Sequence, residues 1–131
     1  MRIFKGLIFR QQLSDLEQAA LVQDFKSYKT TGDLPDTFGR DVPFDHPHTL
    51  PLALQERVFH LHLASAIAAW KSETPQYSRT SDEHLVYCQG ALEEDCFLLI
   101  AILSPDAHQQ AKDNNVMHKL ARTAELFRVK Y

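Results

Sequence analysis

A chain of 131 residues, 44% hydrophobic and 24% charged, has the length and apolar content of one globular domain, 1–131. No apolar run approaches the roughly 18 residues of a membrane span. Two cysteines, Cys88 and Cys96, are too few for a disulfide scaffold and lack the spacing of a metal finger. The opening "MRIFKGLIFRQQ" is interrupted by Lys5 and Arg10 and does not read as a signal peptide, so a cytoplasmic protein with reduced thiols is expected. The net charge of −3 is unevenly spread: residues 1–12 and 112–131 each carry +3, leaving −9 between them. If the two ends meet in the fold, they form a basic patch able to bind phosphate. Otherwise they are solvated surface charges.

In chain order, "RIFKGLIF" (2–9) predicts a strand. Residues 14–32 predict a helix: Ser14 and Glu17 offer a capping box, and Gly32 suits the terminus. Residues 33–55 hold four of the six prolines and several aspartates, which predicts a long loop. "RVFHLHLA" (57–64) alternates like a strand, with Phe59, Leu61 and Leu63 on one face and His60 and His62 on the other. Residues 64–83 begin with weak helical content and become a polar loop around Pro75. "HLVYCQG" (84–90) and "CFLLIAIL" (96–103) flank "ALEED", the pattern of an antiparallel hairpin. "SPDAHQQAKDNN" (104–115) opens with a cap-like Ser-Pro pair, and 116–129 predicts a terminal helix. The order gives an α+β domain with a small, mainly antiparallel sheet and N- and C-terminal helices.

Seven histidines invite a site: His46, His48, His60, His62, His84, His108 and His118. His46 and His48 sit in the proline-rich loop and His108 and His118 in the helical C-terminal part, where exposure is the ordinary state. The His60/His62 pair is more specific, since both project from one strand face. It can be solvated, hydrogen-bonded within the fold, used for acid–base or phosphate chemistry, or bound to a metal with a third ligand from elsewhere. No nearby Cys or carboxylate pair supports the metal. Arginine suits phosphate through its planar fork, and the candidates are Arg40, Arg79 and the basic C-terminal residues. Arg40 beside Asp41 and Arg79 near Asp82 also fit loop-fixing ion pairs. Asp113, Asn114 and Asn115 suit a helix N-cap, with His118 one turn on and Lys119 and Arg122 following. Both cysteines read as core residues of the hairpin.

Taken together, "MRIFK", "LPDTFGRD", "ERVFHLHLA", "SRTSDEHLVYCQG", "LLIAILSPDAH" and "DNNVMHK", in this order, resemble the YafO family of type II toxins from Met1 to about Arg128. The resemblance implies a ribosome-dependent mRNA interferase that arrests growth, a cognate antitoxin that neutralises it by direct binding, no membrane association, no metal cofactor and a RelE-like fold. The polar positions within these motifs are Arg40, Asp41, His60, His62, Arg79, Asp82, His84, Asp113, Asn114, His118 and Lys119. Chemistry assigns proton transfer to His60 or His62 and phosphate binding to Arg79, with Asp113 and His118 as further catalytic candidates. Arg40, Lys112, Lys119 and Arg122 are the RNA-binding candidates. Residues 65–77 are the segment least expected to follow the family pattern. Two other readings stay open here: a ribosome-binding inhibitor that cuts nothing, and a metal-dependent hydrolase using the histidine pair.

Overall fold

The computed structural model describes residues 1–65 and 68–131. Its centre is a five-stranded sheet of β1 (Arg2–Lys5), β2 (Phe38–Pro43), β3 (Phe59–Leu63), β4 (His84–Gln89) and β5 (Cys96–Leu103), in the order β1-β5-β4-β3-β2. Only β1 runs parallel to its neighbour, β5; the other pairs are antiparallel. Helices α1 (Leu7–Gln12), α2 (Asp15–Thr31), α3 (Pro51–Gln55), α4 (Ala107–Gln110) and α5 (Asn114–Lys130) complete the chain. No helix among the described residues is long and apolar enough to cross a membrane.

The alternation in β3 and β4 divides the core in two. Leu61, Leu85, Tyr87 and Leu99 face Phe9 of α1 and Phe25 of α2. Val86, Cys88, Ile100 and Leu103 face Ala53 of α3 and Met117, Leu120 and Phe127 of α5. Both faces of β5 are therefore buried, as its unbroken apolar run requires. Burial pushes the Cys88 thiol up to about 12, so this cysteine stays protonated in the core.

The predicted strand 2–9 is cut short at Lys5, and Leu7–Gln12 is helical instead. A Cβ on Gly6 would lie 3.1 Å from the Leu99 carbonyl oxygen, so the chain turns there in close contact with β5, where a side chain would force a small shift. The Gln12 side-chain amide then takes the place of the missing strand. It donates to Ile102 O at 2.8 Å and accepts from Ile102 N at 2.7 Å. The capping box of α2 forms as predicted, and Gly32 closes the helix in the left-handed region at φ 80°.

The loop expected over 33–55 contains β2 and the five-residue α3. Pro43 is tolerated because it ends an edge strand. Asp41 of β2 ties that strand to α2: it accepts from Tyr28 Oη at 2.7 Å and Tyr87 Oη at 2.6 Å, and Lys29 Nζ lies 3.2 Å away. The weak helical content expected from residue 64 falls partly on 66 and 67, outside the described residues. The described remainder up to residue 83 holds a single 3-10 turn at Gln76–Ser78. The Ser104–Pro105 peptide is cis, and α4 starts beyond that pair, with Asp106 rather than Ser104 at its N-cap.

Candidate functional site on the histidine face of the sheet

The face of β3 opposite Leu61 carries His60 and His62, and the register sets His62 opposite His84 of β4. Ring centroids of His62 and His84 are 4.0 Å apart, those of His60 and His84 5.1 Å. His108 of α4 comes in from the side, 4.9 Å from His84. Phe44 stacks on His60 at 4.2 Å and closes one wall. Arg40 stands on the same face of the neighbouring strand, since Asp41 beside it points to α2.

Ser81 sets the hydrogen positions. Its amide donates to His62 Nδ1 at 2.8 Å, so the neutral His62 ring carries its hydrogen on Nε2. Its carbonyl oxygen lies 2.9 Å from His84 Nε2, which therefore carries the hydrogen and leaves Nδ1 bare. The Ser81 hydroxyl in turn donates to Glu83 O at 3.0 Å and holds the turn in place.

Electrostatics keeps these three rings neutral. Burial first, then the neighbouring histidines and Arg40, lower His60 and His62 to about 3. Burial, with His108 adding to it, lowers His84 to about 4. None of the three readily takes up a proton near pH 7. His108 is more open than these three: its side chain is 63% exposed, and its Nδ1 lies 2.7 Å from Asp82 Oδ1. The same carboxylate oxygen accepts the His108 backbone N–H at 2.9 Å. These contacts, the backbone one foremost, hold the Asp82 carboxyl below its usual range. An ionised carboxylate only accepts, so His108 carries a hydrogen on Nδ1, and in the neutral ring Nε2 is then the free acceptor.

Donor atoms of His60, His62 and His84 lie within 4.8 Å of one another, the separation a metal ion needs. The hydrogen bonds count against such a site. His62 Nδ1 is already engaged by Ser81 and its Nε2 bears the hydrogen, while the Nδ1 atoms of His60 and His84 have no hydrogen-bond partner. Within this triad two nitrogens are then available, one short of the three protein ligands of a catalytic zinc site.

The other sequence candidates lie apart from this group. Arg79 is buried, and its guanidinium is spent on backbone carbonyls: Nε on Thr74 O, Nη1 on Pro35 O and Phe38 O, Nη2 on Ser72 O, at 2.9–3.3 Å. That geometry gives Arg79 a structural task, and Arg40, with a single side-chain hydrogen bond, from Nε, among the described residues, is the more available of the two. Asp113 caps α5 by accepting from Asn115 N and Val116 N. Lys119 lines a cleft of about 210 Å³ with Ile8, Gln12 and Gln110, and Arg122 pairs with Glu125. Lys112 and His118 are exposed, as are His46 and His48. Among the described residues, no hydrogen bond, ion pair or ring contact joins Asp113, His118, Lys112, Lys119 or Arg122 to the histidine group. Sequence reasoning passed over His108 as a surface histidine. The only sequence signal for it was the strand register, which brings the ends of β4 and β5 together.

A wall of neutral histidines, one exposed histidine oriented by a carboxylate, and an arginine alongside make an acid–base site suited to a phosphodiester. Comparison with known proteins points to the toxins of type II toxin–antitoxin systems. Residues 26–129 match the family model described as Toxin YafO, type II toxin-antitoxin system. The chain is also 52% identical over 132 aligned positions, covering all of both proteins, to the mRNA interferase toxin YafO of Escherichia coli (strain K12). The chain belongs to the YafO family of type II toxins. No solved structure matches it.

Proposed function

We propose that the protein is the toxin of a type II toxin–antitoxin pair, that it cleaves mRNA on translating ribosomes without a metal ion, and that a cognate antitoxin neutralises it by direct binding. Its full-length similarity to a protein named as an mRNA interferase supports the activity. The single observation that carries the mechanism is the Asp82–His108 contact at 2.7 Å, beside histidines that burial keeps neutral. The same reading groups the chain with the RelE-like toxins, supported by a mainly antiparallel sheet with helices on both faces.

In this mechanism His108 Nε2 takes the proton of a ribose 2′-hydroxyl as that oxygen attacks the adjacent phosphorus. The bond from phosphorus to the 5′ oxygen breaks, and solvent water protonates the departing oxygen on the far side. Arg40 faces the charge gathering on the phosphate. Its Nε donates to Tyr77 O at 2.7 Å, and its two Nη groups have no hydrogen-bond partner among the described residues. His60 and His62 line the site as neutral groups and shape the field around His108.

The products test this directly. Attack by the 2′-hydroxyl leaves a 2′,3′-cyclic phosphate and a 5′-hydroxyl, in buffer containing chelator. A 5′-phosphate would mean that water, not the ribose, attacks, and would remove the mechanism. His108→Ala is expected to slow cleavage by about 10²–10⁴, with the fold unchanged by circular dichroism. Cleavage by that variant at the wild-type rate would move the proton-transfer role elsewhere.

A further inference from the structure

Among the described residues of the site's rim, Tyr77 is the one with a large aromatic face turned to solvent: it is 67% exposed on the 3-10 turn Gln76–Ser78. The Arg40 guanidinium carbon lies 4.0 Å from its ring centroid, so one face of the ring is taken by a cation and the other is open. Arg40 lies on β2, two residues before Val42, which pairs with His60, so this stacked pair stands at the edge of the histidine face.

The turn is held more firmly than an exposed aromatic alone would require. Arg79, just after it, anchors four carbonyls from two segments. Gln76, just before Tyr77, donates to Gly39 O at 3.0 Å and to Tyr28 Oη at 2.8 Å. Arg40 N donates to Arg79 O at 2.8 Å. A Cβ at Gly39 would sit 2.4 Å from Arg79 O and 2.8 Å from the Trp70 ring, so the turn lies directly on β2. The burial of Arg79 thus presents Tyr77 in a fixed position.

We propose that Tyr77, braced from behind by Arg40, is the stacking platform for an unpaired base of the mRNA next to the cleaved phosphate. Every base has a π-face, and aromatic side chains bind unpaired RNA by stacking on it. Arg40 serves both ends of the contact: its plane supports the ring, and its Nη groups reach toward the phosphate. The inference rests on the reading of mRNA as substrate and adds the residue that holds the nucleotide.

Two arms test it on ribosome-bound mRNA with the intact protein. Tyr77→Leu is expected to lower kcat/KM about tenfold, mainly through KM, as loss of one stacked base does, while Tyr77→Trp restores it. Equal kcat/KM for Tyr77→Leu and wild type would overturn the platform and leave the nuclease intact. In the second arm, mRNA carries 5-iodouridine beside the cut and a 2′-deoxyribose at it, so it cannot be cleaved. Irradiation is expected to cross-link the peptide containing Tyr77. Cross-links that avoid Tyr77 would overturn the platform. A cross-link at Tyr77 from a wild-type protein that cuts no unmodified mRNA would keep the platform and remove the nuclease.

Discussion

Both tautomers at the centre of the site are set by one backbone unit, because Ser81 donates its amide to His62 and accepts from His84. This has a pH consequence. The buried histidines sit at about 3 to 4 against an ordinary 6.5, so below pH 6.5 the unfolded chain binds protons that the folded chain refuses. The stability they contribute is fully present above about pH 6.5. It should fall as pH drops toward 4, by up to about 1.4 kcal/mol per pH unit for each histidine. Urea unfolding across that range measures it, and His84→Gln should flatten the dependence; a flat wild-type profile would contradict the burial argument. Arg79 gives a second prediction. Arg79→Ala leaves several buried carbonyls without donors and should cost at least ~3 kcal/mol in the same experiment, with Arg79→Lys a poor substitute. At this scale the sequence revealed part of the site. Alternation placed His60 and His62 on one face, but tautomers and burial depend on partners that sequence spacing does not reveal. Arg79 and Arg40 look alike as loop arginines, and only packing separates the buried one from the available one.

The elements that sequence periodicity marked clearly are those whose own residues decide them. Helix α2 carries its capping box, and Ser14→Ala should cost ~1 kcal/mol by denaturant unfolding. The hairpin of β4 and β5 follows from two apolar runs around a polar turn. Elements that depend on distant partners were not legible. Strand β2 exists because β3 and the turn at 76–78 give its backbone hydrogen bonds, which outweighs the loop-like Gly39 and Pro43. Helix α1 begins where Gly6 meets Leu99, a contact 93 residues away in the chain. Gly39→Ala tests the coupling between β2 and the turn. Its Cβ has no room against Arg79 O, so the turn must shift, and thermal stability and cleavage should fall together. Loss of neither would mean that β2 and the turn are independent.

At the scale of the whole molecule, the ends do meet: the Phe4 ring packs at a tilt on Tyr131 with centroids 4.8 Å apart, and Arg2 lies over the same ring. Three of the eight basic residues in these two end segments are held in ion pairs. Arg2 pairs with Glu93, Arg128 with Glu56 and Arg122 with Glu125. A protein with a net charge of −3 and few unpaired arginines has little pull on free RNA. Binding to naked single-stranded RNA should be weak, with a log–log salt slope shallower than about −2, as one or two phosphate contacts give. A steep slope would reveal a basic surface not accounted for by Arg40. Weak intrinsic affinity suits an enzyme whose substrate is held in place by the ribosome. The most direct measurement is primer extension on mRNA incubated with the purified protein in chelator, with and without translating ribosomes, for wild type and His108→Ala. Cuts are expected only with ribosomes, and His108→Ala should abolish them. Translation arrested by the wild type with no cuts at all would contradict the nuclease reading and leave a protein that blocks the ribosome.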